Sequence, residues 1–368
     1  MIPSSLFLSG AFLAAIFTVR ALLPLTGVET VITRTQCRPK EKIVFMKTDP
    51  TNPVANSEIY MMNPDGSAAT RLTNDTFGDA MPSLSRDGKG TIIFDSNRVA
   101  DPNKKTGMTF DSDLFLMTVD VTNGKTTPPV HLTRGSSVSW SSDSKRIAFH
   151  RSRSDGYGMR IPGRTEPGGP TTDSDIFIAE LDDLLAKRLV LSNITEKFEG
   201  LTPGAASSED DADWSPDGKK IAFTSRASSC ASNQACQASA EIWIMDADGS
   251  NYKRLTSNDE EERSPDWSPD GKKILYMCKP FAGKPFELCV MNVDGTGREV
   301  LASNTVPDLS PTWSPDGKRI TFLRGGAGEQ QIYALDYVTG PSGNRNEIAL
   351  TRAPGINFFP NWGLVGCK

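Results

Sequence analysis

The chain has 368 residues, a formal net charge of -5, 37% hydrophobic residues and 23% charged residues. This balance fits a folded globular protein, and the small acidic excess argues against a phosphate-binding, nucleic-acid surface. Two histidines exclude a histidine-rich metal centre, while six cysteines make cysteine pairing a central question.

The chain opens on an apolar run from Leu6 to Val19, broken by Arg20. The run is short for a membrane span and suits the core of a secretory signal. No Lys or Arg precedes it and no clean small-x-small cleavage site follows. We read residues 1–26 as a signal peptide, with an uncleaved N-terminal anchor as the alternative, and residues 27–40 as a short linker. The remainder, 41–368, reads as a single domain made of one repeated unit.

The unit is marked by a phrase whose clearest copies are Trp214-Ser-Pro-Asp-Gly-Lys219, Trp267-Ser-Pro-Asp-Gly-Lys272 and Trp313-Ser-Pro-Asp-Gly-Lys318. Leu84-Ser-Arg-Asp-Gly-Lys89 and Trp140-Ser-Ser-Asp-Ser-Lys145 are eroded copies, and the chain closes on Asn361-Trp362-Gly363. In Ser215-Pro216-Asp217-Gly218 the proline presets φ at the second position of a type I turn and glycine takes the fourth. A strand ending on Trp214 therefore reverses into the β-branched and aromatic run Lys220-Ile-Ala-Phe-Thr-Ser225. A loop then leads to a third strand at Glu241-Ile-Trp-Ile-Met245, and a turn at Asp246-Ala-Asp-Gly249 leads to a short fourth one at Lys253-Arg-Leu-Thr256. Four antiparallel strands per unit make a propeller blade.

Numbering blades from Leu84, the third strands of blades 1, 2, 4 and 5 are Asp113-Leu-Phe-Leu-Met117, Asp175-Ile-Phe-Ile-Ala179, Phe286-Glu-Leu-Cys-Val-Met291 and Gln331-Ile-Tyr-Ala-Leu335. The fourth strand of blade 2 is blurred, somewhere between Lys187 and Thr202. The domain starts at Ile43-Val-Phe45, a second strand with no first, and ends at Pro360-Asn-Trp362, a first strand with no second. Joining the two gives a sixth blade shared by both termini, which removes exposed sheet edges. The expected fold is an all-β, six-bladed β-propeller with four antiparallel strands per blade.

This architecture makes the cysteines interpretable as three local pairs, Cys37–Cys367 locking the closure, Cys230–Cys236 within one loop and Cys278–Cys289 across one hairpin. Pairing without a leftover suits an oxidising compartment, and the lack of any Cys-x2-Cys makes zinc a poor alternative.

On its Trp-Ser-Pro-Asp-Gly-Lys phrases followed by Ile-Ala-Phe strands, the chain resembles the TolB-like β-propeller family over roughly residues 40 to 365. The resemblance implies an exported propeller, periplasmic, secreted or at the cell surface, that acts by binding other proteins. The α/β domain that precedes the propeller in TolB has no counterpart in the short 27–40 linker, which points to a stand-alone propeller. Related propellers also cap prolyl-oligopeptidase-type peptidases, but no Gly-x-Ser-x-Gly elbow is present.

Two regions are candidate sites. The residues five places before each repeat tryptophan are Asp79 (counted from Leu84), Gly135, Glu209, Glu262, Asp308 and Asn357, expected near one mouth of the central channel. A carboxylate ring there would hold a hydrated calcium ion or attract a cationic peptide. The competing and preferred reading is neutralisation by inter-blade ion pairs, since second strands end in Lys47, Arg98, Arg151 or Arg153, Arg226, Lys279 and Arg324. The second region is the face carrying the long connections between second and third strands, where blade 2 offers Tyr157, Met159 and Arg160. Asn63-Pro-Asp-Gly66, Asp246-Ala-Asp-Gly249 and Asn292-Val-Asp-Gly295 lack the ligand frame of a calcium loop and read as hairpin turns.

The leading functional expectation is an exported, non-catalytic propeller that binds an envelope or extracellular protein or peptide through its long-loop face and channel mouth. It would be a monomer without nucleic acid, and membrane-associated only if residues 1–26 are retained. The alternative is a lyase or hydrolase working at the acidic mouth with Glu209 and Glu262 as carboxylate catalysts.

Overall fold

The computed structural model describes residues 39–48, 57–98, 113–152, 174–196, 208–226, 240–258, 260–280, 283–302, 304–326, 328–337, 345–352 and 355–366. Six sheets follow one another in chain order, and Pro39–Lys368 forms one compact unit. Blade 3 shows the pattern, with strands Glu209–Trp214, Lys220–Ser225, Glu241–Asp246 and Lys253–Arg254 paired in sequence, all antiparallel. Blade 6 is assembled from both ends of the domain. Its inner strand Ile356–Val365 pairs with Lys40–Thr48 in a register that sets Trp362 opposite Ile43.

Two blades depart from the pattern. In blade 1 the third strand Asp113–Asp120 pairs with both Lys125–Thr126 and Val130–Arg134, so the sheet has five strands. In blade 2 a helix, Leu181–Leu185, replaces the tight turn, and the fourth strand shrinks to Ser192–Asn193. That insertion explains the blur in the sequence, because it separates the third and fourth strands without a turn signature.

The core lies between the blades. Six apolar clusters sit at the six interfaces, and five of them contain a repeat tryptophan, namely Trp140, Trp214, Trp267, Trp313 or Trp362. The sixth, between blades 6 and 1, uses Leu84 and Val365. Each sheet is thus buried on both faces, which is why Ile221-Ala222-Phe223 is apolar at every position. Ile221 and Phe223 pack toward blade 2 and Ala222 toward blade 4. Trp243, on a third strand, is also core, at 6% exposure.

The repeat phrase builds the turn it spells. Ser215 Oγ donates to Asp217 Oδ1 at 2.7 Å and accepts from the Lys220 amide at 2.9 Å, and the Gly218 amide donates to the Ser215 carbonyl at 2.9 Å. The same contacts recur at Ser268, Ser314 and, without proline, Ser141. The Asp-Gly turns between third and fourth strands have a packing role. A Cβ on Gly249, at φ +79°, would lie 2.5 Å from the Ile194 carbonyl oxygen of blade 2. Cys278 and Cys289 form a disulfide with a Cα–Cα distance of 5.9 Å. Cys37, Cys230, Cys236 and Cys367 lie outside the described residues, as do Tyr157, Met159, Arg160 and Arg153.

Candidate functional site: the central channel

Every inner strand carries a β-bulge three residues before the repeat tryptophan. In blade 1, for example, Ala80 faces Asp95 and Ser83 faces Ile93, so the inner strand holds one residue too many. The residues at these bulges, Met81, Ser137, Asp211, Ser264, Ser310 and Phe359, all have φ between 46° and 53°. Left-handed backbone is disfavoured for residues with a Cβ, so its recurrence in all six blades marks it as a requirement of the ring. The bulge turns these six side chains onto a central cavity of about 440 Å³.

The cavity wall is asymmetric. Phe359 and Met81, on adjacent blades 6 and 1, give an apolar arc, and Ser137, Asp211, Ser264 and Ser310 give a polar one. Ser264 Oγ donates to Asp211 Oδ2 at 3.0 Å. Burial, aided by neighbouring Asp210, raises the pKa of the Asp211 carboxyl.

A second ring lies one residue before the repeat tryptophan, where every side chain can accept a hydrogen bond. At Asn361, Ser139, Asp213 and Asp266 the amide of the next blade's repeat position donates to it. Leu84 N–H bonds Asn361 at 2.9 Å, Trp214 N–H bonds Ser139 at 3.2 Å, Trp267 N–H bonds Asp213 at 2.8 Å and Trp313 N–H bonds Asp266 at 2.7 Å. Asp213 is the hub of this ring. It also accepts from Ser139 Oγ of blade 2 at 2.7 Å and from Arg86 Nη2 of blade 1 at 2.9 Å. Burial and then the charge of Asp213 push the Asp266 carboxyl well above the usual carboxylate range.

The acids expected at the channel mouth do not line this cavity. Asp79, Glu209, Glu262 and Asp308 are 0% exposed and Asn357 is 2% exposed. None of them is in the cavity wall. The ion pairs of Asp79 and Asp308 are made within their own blades, because the register sets strand one directly against strand two. Arg98 clamps Asp79 through both oxygens at 2.7 and 2.9 Å, and Arg324 clamps Asp308 at 2.7 and 3.0 Å. Arg226 reaches Asp210 at 2.7 Å, and Lys279 lies 3.7 Å from Glu261. Asn357 donates to Gln331 of blade 5 at 3.0 Å, and Ser225 donates to Glu209 at 3.2 Å. Gly135 has φ +147°, and a Cβ there would meet the Phe149 ring at 2.4 Å.

Glu262 differs from Asp308 of the neighbouring blade. Cys278 stands across from it in the register, where Asp308 has Arg324. Asn258 donates to Oε1 at 2.8 Å, while the buried Oε2 has no hydrogen-bond partner. Burial, with Glu241 and Glu260 nearby, raises its pKa to about 8. Burial also raises Asp79, to about 6, against the pull of Ser96 and Arg98. Among the described residues no group of three or more His, Cys, Asp or Glu is placed to hold a metal ion.

The residues that do form the site, Arg86, Asp211, Asp213 and Asp266, were not picked out from the sequence. A signal existed. In the aligned repeats the place before the tryptophan is always a hydrogen-bonding residue, and Arg86 interrupts a position that is proline in three other copies.

Comparison with known proteins agrees with the fold. Residues 226–366 match the family described as the TolB beta propeller domain. TolB from Acinetobacter baumannii has a similar structure, with a TM-score of 0.62 and 18% identity over 88% of this chain and 66% of that one. The chain thus spans just under two thirds of that protein's length. An Agrobacterium tumefaciens protein described as a TolB matches at a TM-score of 0.54 and 17% identity, over 87% of this chain and 91% of that one. The hydrazine synthase of Kuenenia stuttgartiensis shares the fold as well, at 0.60 and 16% identity over 90% of this chain and 47% of that one. No curated protein matches the chain by sequence.

Proposed function

From a TolB-like β-propeller as the scaffold, we propose that this chain is an exported binding protein whose ligand is a protein or peptide, engaged at the long-loop face and the central channel. The observation that supports this reading most is the cavity wall. Phe359 and Met81 face Asp211, Ser264 and Ser310 across a space of about 440 Å³. An apolar arc opposite a polar, acidic one suits a chain segment carrying both apolar and cationic groups. The fold alone does not choose between binding and catalysis, since it also occurs within an enzyme. The carboxylates that the enzymatic reading needs, Glu209 and Glu262, are fully buried and do not line the cavity.

The reading is tested by affinity capture from an envelope extract, comparing the intact chain with one lacking residues 154–172. A stoichiometric partner that is lost on trimming supports it. Turnover of a polysaccharide or peptide library, abolished by Glu262→Gln, would establish the enzyme instead.

A further inference from the structure

Arg86 holds the second place of the blade 1 turn, where Pro216, Pro269 and Pro315 stand in blades 3, 4 and 5. That place asks only for φ near -60°, which proline supplies best. A long cation there has no role in the turn itself. Its guanidinium instead leaves the blade. Nη2 donates to Asp213 Oδ1 at 2.9 Å and Nη1 donates to the Trp214 carbonyl at 3.1 Å, both on blade 3. Its backbone amide donates to Ser144 Oγ of blade 2 at 2.9 Å. The side chain therefore lies along the rim of the cavity, which it lines together with Ser142, Asp213, Pro216 and Pro315 at the tight-turn end.

Two features separate this contact from an ordinary brace. The seat is held without Arg86, because Ser139 Oγ and the Trp267 amide fix the Asp213 carboxylate independently. The guanidinium is also free to leave, because the Arg86 side chain is 32% exposed while Asp213 is 12% exposed. Swinging it into solvent breaks one ion pair and one carbonyl bond and leaves the apolar clusters between blades untouched.

We propose that Arg86 is a latch on the tight-turn mouth of the central channel, closed while its guanidinium sits on Asp213 and open when it swings to solvent. Opening would expose Asp213 to a competing ammonium or guanidinium group, whose charged N–H donors suit both the carboxylate and the Trp214 carbonyl. The latch concerns access to the cavity and does not depend on which partner uses it.

Thr312 lines the cavity at the second ring, so a Thr312→Cys thiol reports entry from the tight-turn side. Its reaction with N-ethylmaleimide, a neutral probe, is followed by mass spectrometry of the peptide bearing that position. Adding Arg86→Met, which keeps the backbone amide bond to Ser144 and removes the guanidinium, is expected to speed labelling about tenfold, the scale set by one partly exposed ion pair and one hydrogen bond. Raising the salt concentration speeds labelling while Arg86 is present and does nothing once it is replaced. Equal rates with and without Arg86, or no salt effect in its presence, would overturn the latch. Ser310→Cys serves as the reporter if the first variant does not fold. No partner is needed, so failure here leaves the binding function standing.

Discussion

Asp308 and Glu262 occupy the same repeat position in neighbouring blades, with Arg324 across from the first and Cys278 across from the second. Asp308 is clamped by Arg324, which also reaches Glu347 at 2.5 Å. Removing one member of a buried pair strands the other. Asp308→Asn is expected to lower stability by about 3 kcal/mol, measured by urea unfolding. Glu262 has no such partner. Its carboxyl ionises in the unfolded chain from its ordinary value of 4.5 but stays protonated in the fold up to about 8. Stability is therefore lost progressively as pH rises through that window. Glu262→Gln is expected to raise the melting temperature at pH 7 to 8, with the two curves converging near pH 4. A variant no more stable than its parent at pH 7 would contradict this. The position of both acids was legible by counting back from the tryptophan. Their fates were not, because they depend on whether Arg324 or Cys278 stands across the strand pair.

At the scale of the element, two short phrases prove to be complete hydrogen-bonded units. In the first, Ser215 Oγ both donates and accepts inside the turn. Ser215→Ala leaves the Lys220 amide unsatisfied and should cost roughly 1 kcal/mol by urea unfolding. The second is the Arg-Leu-Thr phrase, which reads in the sequence only as a fourth-strand marker. In the structure its threonine fastens the outer strand. Thr256 Oγ1 accepts from the Ile242 amide at 2.9 Å and donates to Glu241 Oε2 at 2.7 Å, while Arg254 reaches Glu241 Oε1 at 2.5 Å. Thr73 with Glu58, Thr195 with Asp175 and Thr351 with Gln331 repeat the arrangement. Thr256→Val keeps the shape, removes both bonds and should cost about 2 kcal/mol, detected as earlier exchange of the Ile242 amide. Turn chemistry was readable because it is local. The threonine fastening joins residues on different strands, so no spacing rule announces it.

The propeller unit is a ring, and its stability rests on interfaces between blades that cannot bury their faces alone. Closure comes from Ile356–Val365 against Lys40–Thr48 and from the Asn361 bond to the Leu84 amide of blade 1. Deleting residues 356–368 removes Trp362 from the interface between blades 5 and 6 and exposes the edge of Lys40–Thr48. We expect the shortened chain to aggregate or unfold in a broadened transition, seen by size-exclusion chromatography and calorimetry. A sharp transition at the parent temperature would show that the ring does not need its sixth inner strand.

The sequence by itself determined the blade, the number of blades and the shared sixth blade, because each follows from chemistry repeated at a fixed interval. Proline and glycine set the turns, apolar runs set strands buried on both faces, and a tryptophan in most blades sets the interfaces. Tertiary structure alone decided where the polar groups meet. The bulge that rotates Asp211 and Ser264 onto the cavity and the reach of Arg86 over blade 2 to blade 3 each join residues far apart in the chain, while the pairing of Asp79 with Arg98 follows from the register of its hairpin. A repeat specifies the unit, whereas the channel belongs to the ring, and only closing the ring brings its walls together.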